Sequence, residues 1–122
     1  MAVSLQLGSI VWVAIADANG FVKLRPAVIV TPSDRIAGAG SLHAVAVTSR
    51  LAEPLPSDHV LLPWHPKGHP RTKLNRRCAA ACGWLVQVQA GDIREVAGIV
   101  PGAVLIEILR LIAAQRPPSA AR

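Results

Sequence analysis

The sequence has no apolar run of the roughly 18 to 20 residues that a membrane-crossing helix needs. Lys23 and Arg25 interrupt the first half, and Glu107 and Arg110 the last apolar segment, so no membrane helix is expected. The N-terminus, Met1-Ala2-Val3-Ser4-Leu5-Gln6, carries no positive cluster ahead of an apolar stretch, which argues against a secretory signal and for a cytoplasmic location. Cysteine is scarce, with only Cys78 and Cys82 present. Four residues of strand span about 13 Å, whereas the Cα atoms of a disulfide lie at most about 7 Å apart. If this segment is a strand, no disulfide joins them. Acidic residues are also few, 7 against 13 Lys and Arg, for a formal net charge of +6.

The 122 residues suffice for one core and one domain, spanning 1–122. With 52% hydrophobic and 16% charged residues, the composition excludes the disordered class. The positive side chains gather at Lys67, Arg71, Lys73, Arg76 and Arg77. A polyanion is the natural partner of such a cluster; the plainer alternative is a solvated basic loop.

Ser9-Ile10-Val11-Trp12-Val13-Ala14-Ile15 is rich in β-branched and aromatic residues and ends at Asp17-Ala18-Asn19-Gly20, where Asn-Gly supplies the positive φ of a tight turn. A hairpin is expected, its return strand Ala27–Thr31 opening after Arg25-Pro26 and closing at Pro32-Ser33-Asp34. Residues 35–41, with Gly38 and Gly40, read as a loop into a third strand, Leu42–Ser49. Pro54 and Pro56 end it, and His59–Trp64 gives a short fourth strand whose Pro63 marks an edge or a strand end. Ala79–Val88 reads as strand, Gly91–Arg94 as a turn and Val96–Val100 as a last short strand. Between Ala103 and Gln115, Leu105, Ile108, Leu109 and Ile112 fall on one helical stripe, with Glu107 and Arg110 on the wet face. Pro117-Pro118 stops this helix, and a frayed tail over 116–122 is expected. Many short strands with Pro/Gly turns and one terminal helix describe a mainly β fold, a small, strongly bent barrel closed to remove exposed edges and capped by the C-terminal helix.

The order of these pieces resembles the MazF/PemK toxin family from about Gly8 to Ala114. Four motifs carry the likeness: Gly8-Ser9-Ile10-Val11-Trp12-Val13, Arg25-Pro26-Ala27-Val28-Ile29-Val30, Val47-Thr48-Ser49 and Thr72-Lys73-Leu74. The resemblance implies an SH3-like, MazF/CcdB-like barrel. It also implies a homodimer whose groove holds single-stranded RNA, a cognate antitoxin that fills the same groove, and cleavage of RNA without a metal or other cofactor. Arg25 matches the arginine of the family's Arg-Pro motif and Thr48 the threonine of its Thr-Ser pair, both tied to catalysis there.

Those residue types suit the chemistry. Attack of a ribose 2′-hydroxyl on the adjacent phosphorus builds charge on the phosphoryl oxygens, which a guanidinium fork binds while staying protonated. Arg25 is the candidate clamp, and the hydroxyls of Thr48 and Ser49 are candidate donors to the same oxygens. The sequence departs from many relatives in its first hairpin loop, where Asp17 is the only acidic residue, and in lacking charged neighbours around Cys82. Acid/base help is therefore expected from His69 or His65, in Trp64-His65-Pro66-Lys67-Gly68-His69-Pro70-Arg71. Candidate RNA contacts are Lys23, His65, Lys67, Arg71, Lys73, Arg76 and Arg77, while His43 and His59 read as structural or surface residues. A zinc site built from His65, His69, Cys78 and Cys82 is disfavoured by its spacing. The alternative function is a barrel of the same shape that binds RNA or a protein partner without cutting.

Overall fold

Strand β1 (Ser9–Ala16) and strand β2 (Val22–Ile29) form the first hairpin in a computed structural model that describes residues 5–17, 19–36 and 40–115. Expectations for Met1 to Ser4, Ala18, Gly38, Pro117-Pro118 and the tail 116–122 fall outside the described residues. The hairpin turn is built by Asp17, whose Oδ1 accepts the N–H groups of Asn19 and Phe21 at 2.9 and 3.0 Å, and by Gly20 at φ 85°. An aspartate satisfying two backbone donors and a residue with positive φ close such a turn.

β2 begins five residues before the expected Ala27, so Pro26 lies inside the strand, opposite Trp12. Proline has no N–H to give a ladder. The ladder from β2 to the third strand, β3 (Leu42–Thr48), starts only at the next residue, with Ala27 opposite Ala46. The segment between them holds one helical turn, α1 (Ser33–Ile36), where only a loop was expected. The Ser33 hydroxyl accepts the Leu7 N–H there.

β4 (His59–Leu61) is shorter than the expected His59–Trp64. Leu62 still donates to the Cys78 carbonyl, but Pro63 turns its carbonyl to the Thr72 hydroxyl instead of a strand neighbour. β5 (Ala79–Val88) and β6 (Glu95–Ile99) follow, joined by a single 3-10 turn at Ala90–Asp92, and α2 (Gly102–Gln115) ends the described chain. All strand pairs are antiparallel, in the order β4-β5-β3-β2-β1-β6.

This curled sheet is a half-barrel and not the closed barrel expected, because its end strands β4 and β6 make no ladder with each other. The loop after β4 bridges the gap, Ile99 donating to the Arg71 carbonyl at 3.0 Å. Gly98 makes the bridge possible, because a Cβ there would sit 2.3 Å from the Arg71 carbonyl oxygen. No side chain fits so close to backbone.

The alternation of strand side chains produces two cores. Ile10, Val28, Val45, Ala80 and Cys82 pack under α2, whose Ile108 is fully buried. Val11, Val13, Ile15, Ala27, Ile29, Ala44 and Ala46 pack on the other face. Both cysteines are buried and free, Cys78 just ahead of β5 and Cys82 within it. β5 changes face: between Val45↔Leu85 and Val47↔Ala80 its register slips against β3. Before the slip Ala80 and Cys82 face the helix, and after it Trp84, Val86 and Val88 face the second core. A bulge re-aims side chains in this way, and Gly83 sits within it.

Candidate functional site

Arg25 projects from the second face of β2, beside Val13 of β1. Arg25 lies two residues before Ala27 and Thr48 two residues after Ala46, the pair at which the β2–β3 ladder ends, so both sit at this end of the ladder on the face of Ala27 and Ala46. Because Pro26 ends that ladder, the two lie at an opening in the sheet rather than inside it. The hydrogen-bond groups there are incompletely used. The Arg25 side chain is 18% exposed, its terminal nitrogen is 4.0 Å from an Asp17 oxygen, and its guanidinium carbon lies over the Trp84 ring, 5.1 Å from the centroid. Its Nε is buried with no hydrogen-bond partner among the described residues. A buried unpaired donor costs about 1–3 kcal/mol.

Ala46 of β3 and its β2 partner Ala27 are fully buried in the same cluster that Trp84 packs against. Asp17 uses Oδ1 in the turn and turns Oδ2 toward the guanidinium. Asp17 is thus both turn builder and neighbour of the clamp, the second role arising only once the hairpin is folded. Lys23 stands exposed on the same face, two residues before Arg25.

Thr48 is half-buried and its hydroxyl accepts the Arg50 N–H at 3.1 Å, while Ser49 is exposed. Thr48 pairs with Ala79, the first residue of β5, so Arg76 and Arg77 arrive at this same end of the sheet just before that pair. Arg50 is a further exposed cation here that the sequence pattern did not single out.

His65, Lys67, His69, Arg71 and Lys73 belong elsewhere, to the loop that bridges to β6. The imidazoles serve the loop itself. Nδ1 of His65 accepts the Lys67 N–H at 3.1 Å, and Nδ1 of His69 accepts those of Arg71 and Thr72 at 3.1 and 3.3 Å. A neutral imidazole whose Nδ1 accepts carries its proton on Nε2, a tautomer assigned from this bonding. Each His-Pro-Lys/Arg triplet is therefore the same cap used twice. Thr72, fully buried, donates to Pro63 O at 2.8 Å and accepts from Leu74 N–H, and Lys73 takes a left-handed φ of 64° between them. No hydrogen bond or ion pair links this loop to Arg25 or Thr48 among the described residues. His43 is exposed, and His59 bonds Asp58 at 2.8 Å.

The thiols are unsuited to nucleophilic or metal chemistry. Burial pushes both Cys78 and Cys82 up to about 11, with Arg76 partly opposing it at Cys78 and Asp58 and Glu107 adding to it at Cys82. Thiolate is the reactive and ligating form. Among the described residues, no three His, Cys, Asp or Glu side chains converge.

With the curled sheet, its terminal helix and the Arg25 opening described, comparison with solved structures decides the fold. The crystal structure of MazF (Form-I) from Deinococcus radiodurans superposes with a TM-score of 0.71 over 90% of this chain and 94% of that one, at 23% identity. The fold is that of MazF. A MazE-MazF complex (Form-II) from the same organism gives 0.64 over 90% and 92% of the two chains at 20% identity. An endoribonuclease in complex with its cognate antitoxin from Mycobacterial species gives 0.68 over 94% of this chain and all of the other, at 17% identity. By sequence alone, no family profile and no curated protein matches the chain.

Proposed function

We propose that this chain is a toxin-type endoribonuclease that cuts single-stranded RNA by attack of a ribose 2′-hydroxyl. The observation that carries this is the opening at Arg25: a guanidinium with a buried N–H unpaired among the described residues, at the end of the ladder where Thr48 also lies, on a MazF fold. In the proposed step the 2′-oxygen forms a bond to phosphorus and the bond to the 5′-oxygen breaks, leaving a 2′,3′-cyclic phosphate. Arg25 binds the phosphoryl oxygens as their charge grows, and Thr48 or Ser49 donates to the same oxygens.

The base for the 2′-proton is Asp17, the carboxylate nearest the guanidinium. The departing 5′-oxygen takes its proton from solvent, and His69, whose Nδ1 is committed to the bridging loop, offers the RNA a hydrogen bond from Nε2–H. Charge stabilisation from Arg25 leaves no step that calls for a metal. Lys23, Arg76 and Arg77 hold RNA near the opening. His65, Lys67, Arg71 and Lys73 track its backbone along the bridging loop. Neighbours solved as complexes with MazE or a cognate antitoxin support an antitoxin partner. The exposed apolar residues of the hairpin and β4, such as Val22, Leu24 and Leu61, support a homodimer. No helix among the described residues is long and apolar enough to cross a membrane, and the cytoplasm, where RNA is met, is the proposed location.

Incubation with a long single-stranded RNA in EDTA tests this. Fragments ending in a cyclic or 3′-phosphate are expected, with intact RNA after Arg25→Ala. A salt-sensitive gel shift with no cleavage would instead leave an RNA-binding barrel without catalysis.

A further inference from the structure

A cleft of about 520 Å³ opens beside Arg25, bounded by Ala16, Asp17, Asn19 and Trp84. Asp17 and Trp84 are also the groups that flank the guanidinium, so an occupant of the cleft would lie next to an oxyanion on Arg25. The walls are of two kinds. The half-buried Trp84 indole, which has the Arg25 guanidinium over its ring, supplies an aromatic wall, and the turn offers a polar edge. In that edge Asp17 Oδ1 is taken up by two turn N–H groups, whereas the exposed Asn19 amide has no hydrogen-bond partner among the described residues.

We propose that this cleft seats one unpaired nucleobase, stacked on Trp84 with its edge read by the Asn19 amide, beside the phosphate held by Arg25. This rests on the cleavage function proposed above for its neighbouring phosphate. An aromatic face accepts any base, because every base has a π-face. Discrimination comes from the edge. A carboxamide pairs with an adjoining donor and acceptor, and the Asp17 carboxylate, which only accepts, disfavours an edge flanked by two carbonyl oxygens. Adenine and cytosine, each with an amino group beside a ring nitrogen, fit this edge better than uracil.

The test uses 2′-O-methyl hexanucleotides A6, C6 and U6, which have no free hydroxyl to attack, titrated against tryptophan fluorescence. Quenching is expected in the parent protein and should fall by about half or more in Trp84→Phe, the variant that keeps an aromatic ring. A6 and C6 should bind about tenfold more tightly than U6, and Asn19→Ala should reduce that margin to less than about threefold. Equal quenching in the parent and Trp84→Phe, or no preference over U6, would overturn the base site. The hexamers cannot be cut, so the two ideas fail separately. A protein that shows this pattern yet leaves long RNA intact loses the nuclease function and keeps the base site. One that cuts RNA with quenching unchanged in Trp84→Phe does the reverse.

Discussion

The Arg25 opening and the His65–Leu74 loop are both cationic, yet they treat their polar groups in opposite ways. In the loop, two imidazoles and a buried threonine satisfy successive backbone groups, and Gly98 lets the whole unit dock on β6. At the opening, a ladder stops at a proline, a guanidinium N–H has no partner among the described residues and a carboxylate is only half used. Stability governs the first arrangement, since buried polar groups left unpaired are costly. The second carries a deficit that a ligand can remove. Charge density alone, which is what a sequence displays, does not separate the two.

Replacing a residue at each region should therefore give opposite results, and the largest effect should fall on activity. Arg25→Ala should lower the rate of RNA cleavage by at least about 100-fold, as loss of an oxyanion donor does. A gel assay of the fragments reads this directly. Gly98→Ala should give the next largest effect, in stability, because its Cβ would force the bridging backbone apart; a loss of about 3 kcal/mol is expected in urea titration. Thr72→Val, which leaves Pro63 O and Leu74 N–H without their partner, should lose about 2 kcal/mol by the same titration.

The buried thiols sharpen the comparison through pH. Their folded values are raised to about 11, so the neutral form stabilises the native state. That contribution is complete below the thiol's unfolded value near 9 and fades as pH rises toward 11. Denaturation midpoints should fall over that window, and Cys78→Ala with Cys82→Ala should flatten the fall. The smallest effect belongs to His69. His69→Ala should lose about 1 kcal/mol and His69→Asn should regain it, because an amide oxygen replaces Nδ1 as acceptor. Cleavage that stays low in His69→Asn would separate an Nε2–H donor role from the cap.

Much of this was legible beforehand. Alternation and turn residues placed six strands and the terminal helix, because those signals are local: Asn19-Gly20 for the hairpin, the Leu105-Ile108-Ile112 stripe for α2. The start of β2 was misplaced since Pro26 reads as a strand opening, whereas an unpaired side toward β3 lets it sit mid-strand. The motif residues Arg25 and Thr48 were identifiable, but their surroundings were not. Asp17 reaches Arg25 through the hairpin, and Trp84 reaches it only because a register slip turns β5 over. Such neighbours depend on pairing between distant segments, which no local pattern records. The same limit hid the loop's own use of its histidines: their Nδ1 atoms are taken up by backbone that only the folded turn brings close.

Arg25→Met is the most direct measurement, made on one sample for both thermal unfolding and RNA cleavage. It keeps an unbranched side chain against Trp84 while removing the unpaired N–H. If the opening is built for a ligand, the melting temperature should hold or rise while cleavage disappears. A melting temperature lowered as far as in Thr72→Val, with cleavage intact, would mean that Arg25 is a structural residue and that the site lies elsewhere.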